Sequence, residues 1–144
     1  YIKELEKEGM VIKDKSTLYP SYKANDTNRL FRVYKQQAMV FSIYSSGLLD
    51  YLEKATLPRC IILFGSIRKG EYTKNSDIDL FIVKDTDSRR VDRFVDVSEL
   101  IEEWEGEISI SPLVYTAKEM EQRIALGDDF VEEILARGET LYAR

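Results

Sequence analysis

The sequence predicts an α+β domain, close to α/β in its alternation, with a small mixed sheet and helices packed on it. Three observations point there. "CIILF" (60–64) and "IDLFIV" (78–83) are apolar runs short enough to be buried strands. "EISISPLVYT" (107–116) alternates apolar and polar residues as a half-buried strand does. The segments between and after them carry apolar residues at steps of three or four, the helical period.

In chain order, "YIKELEKEGMV" reads as the last turns of a helix, with Gly9 at a left-handed C-terminal cap. "MVIKD" and "LYPSYKA" flank the polar "KDKST" as two arms of a hairpin, and Pro20 marks the second arm as an edge strand. A long helix is expected from about Thr27 to Lys54, capped by Asp26, with Leu30, Tyr34, Ala38, Phe41, Tyr44, Leu48 and Leu52 as its apolar stripe. Gly47 weakens it locally, and Leu57-Pro58 ends it. After the second core strand, Val91, Phe94, Val95, Val97, Leu100, Ile101 and Trp104 form a helical set capped by Ser88 or Asp87. Thr116 and Glu119 make a T-x-x-E capping box for the helix around Met120 and Ile124. "DDFVEEILARG" is a short last helix stopped by Gly138, and "ETLY" a terminal strand. The expected units are 1–25, 26–56 (the long connecting helix) and 57–144.

Composition narrows the chemistry. With 144 residues, 44% of them hydrophobic, the chain can bury a core. It lacks the apolar window of about 18 residues that a membrane span requires, and its start lacks a secretory pattern, so the expectation is a cytoplasmic protein with no membrane partner. It starts at Tyr1 inside a helical pattern, as a piece of a longer product would. One cysteine, Cys60 in an apolar run, and no histidine exclude an intramolecular disulfide, a Cys/His zinc site and an imidazole acid or base. Residues 1–54 hold nine Lys and Arg against seven Asp and Glu, and residues 55–144 hold twelve against nineteen. An acidic larger part argues against nucleic acid lying across it and suits cations and the charged substrates that bring them.

Candidate chemistry concentrates in "ILFGSIRKGEYTKNSDIDLFIV", residues 62–83. Gly65 after a buried strand allows a conformation and a close approach that a side chain would block, and Ser66 adds a hydroxyl. A helical turn from about Ile67 to Gly70 would aim backbone N–H groups at an anion there, with Arg68 and Lys69 adding positive charge and Lys74 a weaker candidate. Asp77 and Asp79 lie two apart on a strand, on one face and ~6.6 Å apart along the chain, with Ile78 and Leu80 on the other, core-facing side. Two carboxylates so close repel unless they share a divalent cation, and Mg²⁺ is commonly held by one or two carboxylates plus phosphate oxygens. Loop and carboxylates together propose a nucleoside triphosphate with Mg²⁺ or Mn²⁺. "DTDS" (85–88) lacks the glycine and distal glutamate of a calcium loop and reads as capping.

The stretch resembles the signature of the DNA polymerase β-like nucleotidyltransferase superfamily, h-G-[GS] followed after about ten residues by D-h-[DE]-h, and in particular its minimal nucleotidyltransferase branch. The motif maps to Phe64-Gly65-Ser66 and to Asp77-Ile78-Asp79, and the resemblance covers about Pro58 to Tyr142. It implies the nucleotidyltransferase fold, with Asp77 and Asp79 as catalytic metal ligands and Gly65, Ser66, Arg68 and Lys69 on the nucleotide. It also implies a third carboxylate on a later strand, where this sequence has Ser111. Glu107 is on the same face, but four residues earlier and ~13 Å away along a strand.

"YIKELEKEGMVIKD" with "LYPSYKAN" also resembles the end of a recognition helix and the wing of a winged helix-turn-helix module. That implies DNA contacts from Lys3, Lys7, Lys13 and Lys15, although residues 1–24 carry five Lys against four Asp and Glu. Two readings are open. One is an enzyme moving a nucleoside monophosphate onto an acceptor hydroxyl, with a toxin-like protein as a family-implied acceptor. The other is a DNA-binding regulator whose transferase-like domain only binds nucleotide or mediates assembly. The intact set from Gly65 to Asp79 favours the first, Ser111 the second. The apolar long helix suggests a homodimer.

Overall fold

The computed structural model describes residues 1–144 except Thr17, Lys74, Glu105 and Glu107. The readings placed on Lys74 and Glu107 therefore lie outside the described residues.

The N-terminal part is helix α1 (Ile2–Lys7) and a hairpin of β1 (Val11–Asp14) and β2 (Ser21–Ala24), paired antiparallel. Gly9, at φ +76°, ends α1 as expected. Its N–H donates to the Glu6 carbonyl and the Met10 N–H to the Leu5 carbonyl, the two bonds of a Schellman cap. Met10 is the buried hydrophobic residue of this part. Asn25 and Asn28, just past the hairpin, fasten the end of α1, their side-chain amides donating to the Gly9 and Glu8 carbonyls.

The long helix divides in two. Helix α2 (Arg29–Ser45) and helix α3 (Leu48–Thr56) are separated at Gly47, whose φ of +80° suits glycine and turns the chain. The cap of α2 is Asn28, which accepts from the Phe31 N–H, and not Asp26. Residues 25–28 are spent on a turn held by the Asn25 side chain and carbonyl, which delays the helix. The sequence-derived stripe is corrected as well. Phe41 is 74% exposed and Tyr34 59%, while Met39, Val40 and Ile43 face the core. The turn at Gly47 then redirects Leu48, Leu49 and Leu52 inward.

The main sheet has order β5-β4-β3-β6. Strands β3 (Cys60–Phe64) and β4 (Ile78–Val83) are antiparallel and joined through the short helix α4 (Gly65–Arg68). Helix α5 (Arg90–Glu103) crosses over to β5 (Ile110–Tyr115), which runs parallel to β4. Helices α6 (Ala117–Ala125) and α7 (Asp129–Arg137) come next, and β6 (Glu139–Ala143) returns antiparallel to β3. The expected Thr116–Glu119 capping box is present in both directions. Helix α5 departs from expectation at its start: its N-cap is Arg89, without a side-chain cap, because Thr86 and Ser88 bond each other in the preceding turn. Val91, Phe94 and Val95 are exposed, and Arg93, only 3% exposed, takes a core position. Its guanidinium donates to Glu119 at 2.5 Å and to the Ser88 carbonyl.

Both sheet faces are covered. Ile61, Leu63, Ile78, Leu80 and Ile82 meet α2, α3 and α5, and Ile62, Phe81 and Val83 meet Val131 and Ile134 of α7. No helix among the described residues is long and apolar enough to cross a membrane.

Candidate functional site

Pairing of Phe64 with Asp79 brings the end of β3 beside the start of β4. The next residue, Gly65, has φ +76°, and a Cβ built on it would collide with Asp79 Oδ2 and stand 3.0 Å from Asp79 Cγ. Only a glycine lets the backbone lie against this carboxylate. The helical turn begins at Gly65 itself, two residues earlier than expected, and its N-cap Phe64 makes no side-chain capping bond. Ser66 is half-buried on this turn and Lys69 exposed after it.

Asp77 stands one residue before β4, exposed, and accepts a 2.5 Å hydrogen bond from Ser109 Oγ. Burial, and the Asp77 carboxylate beside it, hold the Asp79 carboxyl above the ordinary value of 3.8. Ile78 and Leu80 are buried on the opposite face, as their alternation implied. The parallel register places Ser111 directly beside Asp79. The position next to the paired carboxylates therefore carries a hydroxyl. Sequence reading missed Ser109, although its two-residue step from Ser111 was visible.

Two cavities flank this point. One, of about 800 Å³, runs from Phe64 and Gly65 past Arg68 and Lys69 to Phe130 and Arg137 of α7. Arg68 turns toward Glu139 of β6 at 3.8 Å, beyond hydrogen-bond reach, and its Nε is buried without a hydrogen-bond partner among the described residues. The other, of about 440 Å³, has an apolar floor that includes Met39 and Ile78, and a rim that includes Asp77 and Ser109.

The donor set fits a divalent cation of the Mg²⁺ type. Two neighbouring carboxylates, one of them raised by burial and by the charge of the other, gain from a shared cation, and Mg²⁺ leaves its remaining positions to phosphate and water. Among the described residues no group of three or more His, Cys, Asp and Glu is placed to hold a metal. Lys3 and Lys7 are exposed on α1, Lys13 on β1 and Lys15 in the connection just after it.

A family profile described as "Nucleotidyltransferase domain" matches residues 46–139. A crystal structure from Sulfolobus solfataricus, of a protein proposed to be a nucleotidyltransferase, is similar over 69% of this chain and 82% of its own, with 18% identity and a TM-score of 0.46. No curated protein sequence matches.

Proposed function

The chain belongs to the nucleotidyltransferase domain family, and from that premise we propose that it transfers a nucleoside monophosphate from a metal-bound nucleoside triphosphate to an acceptor hydroxyl. The observation that carries this reading is the seating of Gly65 against the Asp79 carboxylate with Asp77 alongside. A turn that presents backbone N–H groups and a pair of carboxylates that calls for a cation meet at one point, which is what a triphosphate with its metal requires.

In this reading Asp77 and Asp79 hold Mg²⁺ or Mn²⁺, which when bound supplies charge neutralisation and polarisation of the α-phosphate. Gly65 and Ser66 seat the phosphates, and Arg68 and Lys69 add positive charge at the wall of the larger cavity. The acceptor oxygen bonds to the α-phosphorus as the bond to pyrophosphate breaks, and the hydroxyl gives its proton to solvent water. That proton transfer is the step the chain assists least, since Ser111 cannot act as a carboxylate base.

The acceptor in this proposal is a protein, with a toxin-like partner as its class. The exposed Tyr34 and Phe41 face of α2 is assigned to a second copy of the chain. Incubation with α-labelled nucleoside triphosphates, Mg²⁺ or Mn²⁺ and a lysate tests the reaction. Label is expected on a protein band with the native chain and absent with Asp77→Asn/Asp79→Asn. Equal labelling in both, or none in either, rejects the enzyme.

Ser111 beside Asp79 favours a second reading, a nucleotide-binding regulator without turnover. There α1 and the hairpin are the end of a winged helix that meets DNA through Lys3, Lys7, Lys13 and Lys15. Calorimetric nucleotide binding without label transfer, with DNA affinity that falls on Lys13→Ala/Lys15→Ala, would support it.

A further inference from the structure

Building on the nucleotidyl-transfer reading, we propose that Lys35 of α2 and Tyr72 of the loop before β4 are positioning residues that latch this loop onto α2 and set Asp77 in place for the metal-bound triphosphate.

The contact is reciprocal. Tyr72 Oη donates to the Lys35 carbonyl at 2.8 Å, and Lys35 Nζ donates to the Tyr72 carbonyl. The ammonium lies 4.6 Å from the centroid of the Tyr72 ring, a cation–π distance. The Lys35 side chain is only 20% exposed and also pairs with Asp26 at 3.5 Å. Burial pushes the Tyr72 hydroxyl above its ordinary value, so it remains a donor through the neutral range. The grip extends along the chain. Gly70, at φ +68°, presses on the helix so closely that a Cβ there would stand 2.5 Å from the Arg32 carbonyl oxygen. Glu71 pairs with Arg32 at 3.6 Å. Gly70, Glu71 and Tyr72 thus clasp Arg32 and Lys35, which lie three apart on one face of α2.

The latch has a task at Asp77. Toward that residue Ser76 is tied to Thr73, its N–H donating to the Thr73 carbonyl and its Oγ accepting from the Thr73 N–H. Asp77 is exposed and only two residues from Asp79, so two like charges favour a free loop that moves away from the pair. Anchoring at Tyr72 on one side and at Ser109 on the other opposes that relaxation. Met39 and Ile43, four and eight residues along the same face as Lys35, and Val40 also dock α2 on the core, so the helix keeps that anchorage when the latch is removed. Tyr72 also walls the smaller cavity, whose rim includes Asp77.

The test is calorimetric titration of Mn²⁺ with inorganic tripolyphosphate, which carries no base, into the native chain, Lys35→Met, Tyr72→Phe, the double variant and Lys35→Arg, each also melted thermally. Each single variant is expected to weaken binding about tenfold, as loss of a partner supporting a metal ligand does. The double variant is expected to be little weaker than either single, and Lys35→Arg to recover part of the loss. Thr56→Val, which removes a buried hydroxyl bonded to the Leu52 carbonyl in α3, should lower the melting temperature without changing affinity. Melting temperatures that fall in the latch variants while their affinities stay native would overturn the proposal. If binding is lost in Asp79→Asn but intact in the latch variants, only the latch fails. A native chain that does not bind Mn²⁺-tripolyphosphate overturns the latch and the underlying reading together.

Discussion

The Asp79 carboxylate occupies the space that a side chain on residue 65 would need, so the glycine of the turn and the aspartate of the strand are one packing unit. Gly65→Ala therefore carries two costs, a left-handed backbone and a collision, whereas Gly47→Ala carries only the first, since nothing lies within 4 Å of its added Cβ. Backbone strain alone should cost about 1 to 2 kcal/mol in each. Gly65→Ala should in addition abolish Mn²⁺-triphosphate binding, and Gly47→Ala should leave it intact. Urea melts and calorimetry on the two variants separate these effects.

The raised Asp79 carboxyl gives a pH dependence with a definite sign. Above its ordinary value of 3.8 the folded chain binds more protons at Asp79 than the unfolded chain does. This group's contribution to stability is full below that value and is lost as pH rises through the folded value. Asp79→Asn does not titrate. It should melt higher than the metal-free native chain at neutral pH, with the advantage vanishing as pH falls below 3.8. Mg²⁺ should raise the melting temperature of the native chain and not of the variant. Thermal melts across pH, with and without metal, check both statements.

Ser111 is paired in register with Asp79, so Ser111→Asp places a third carboxylate beside the first two. Label transfer should rise by about a hundredfold if a general base is what the site lacks. The same change should lower the metal-free melting temperature, because a third like charge joins a repelling pair. An unchanged transfer rate, read in a time course with labelled nucleotide, would remove the missing carboxylate as the limit on turnover.

Arg93 is buried and paired with Glu119, which also closes the capping box of α6. Glu119→Ala removes the partner of a buried charge and half of a cap. It should cost roughly 3 kcal/mol, moderated by the 34% exposure of the glutamate side chain. Thr116→Ala, which removes only the cap, should cost about 1 kcal/mol. Denaturant unfolding of the two variants measures the difference.

Much of this was legible in the chain itself. The strands β3, β4 and β5 lie where apolar runs and alternation placed them, β6 forms at the expected terminal piece, and the Thr116–Glu119 box and the Gly9 cap arise from local chemistry. Less legible was which side of a helix faces inward. Tyr34 and Phe41 read as the docked stripe of α2 and are exposed, because the sheet reaches Met39, Val40 and Ile43 instead. Periodicity defines an apolar face but does not say which part of it another element will cover. Arg93 was missed for a related reason: its partner lies 26 residues away on α6, and burial of an arginine depends on that pairing.

By itself the sequence determined the mixed strand and helix order, the glycine at the turn and two carboxylates two residues apart at the start of a strand. Those properties come from local conformational preference and from the two-residue period of extended chain. Tertiary structure alone decided that Gly65 touches Asp79, that Ser111 stands beside Asp79 and that Lys35 grips Tyr72. Each of these joins residues far apart in the chain, through strand pairing, a crossover or helix docking. Such contacts depend on how whole elements pack, which no short window of residues contains.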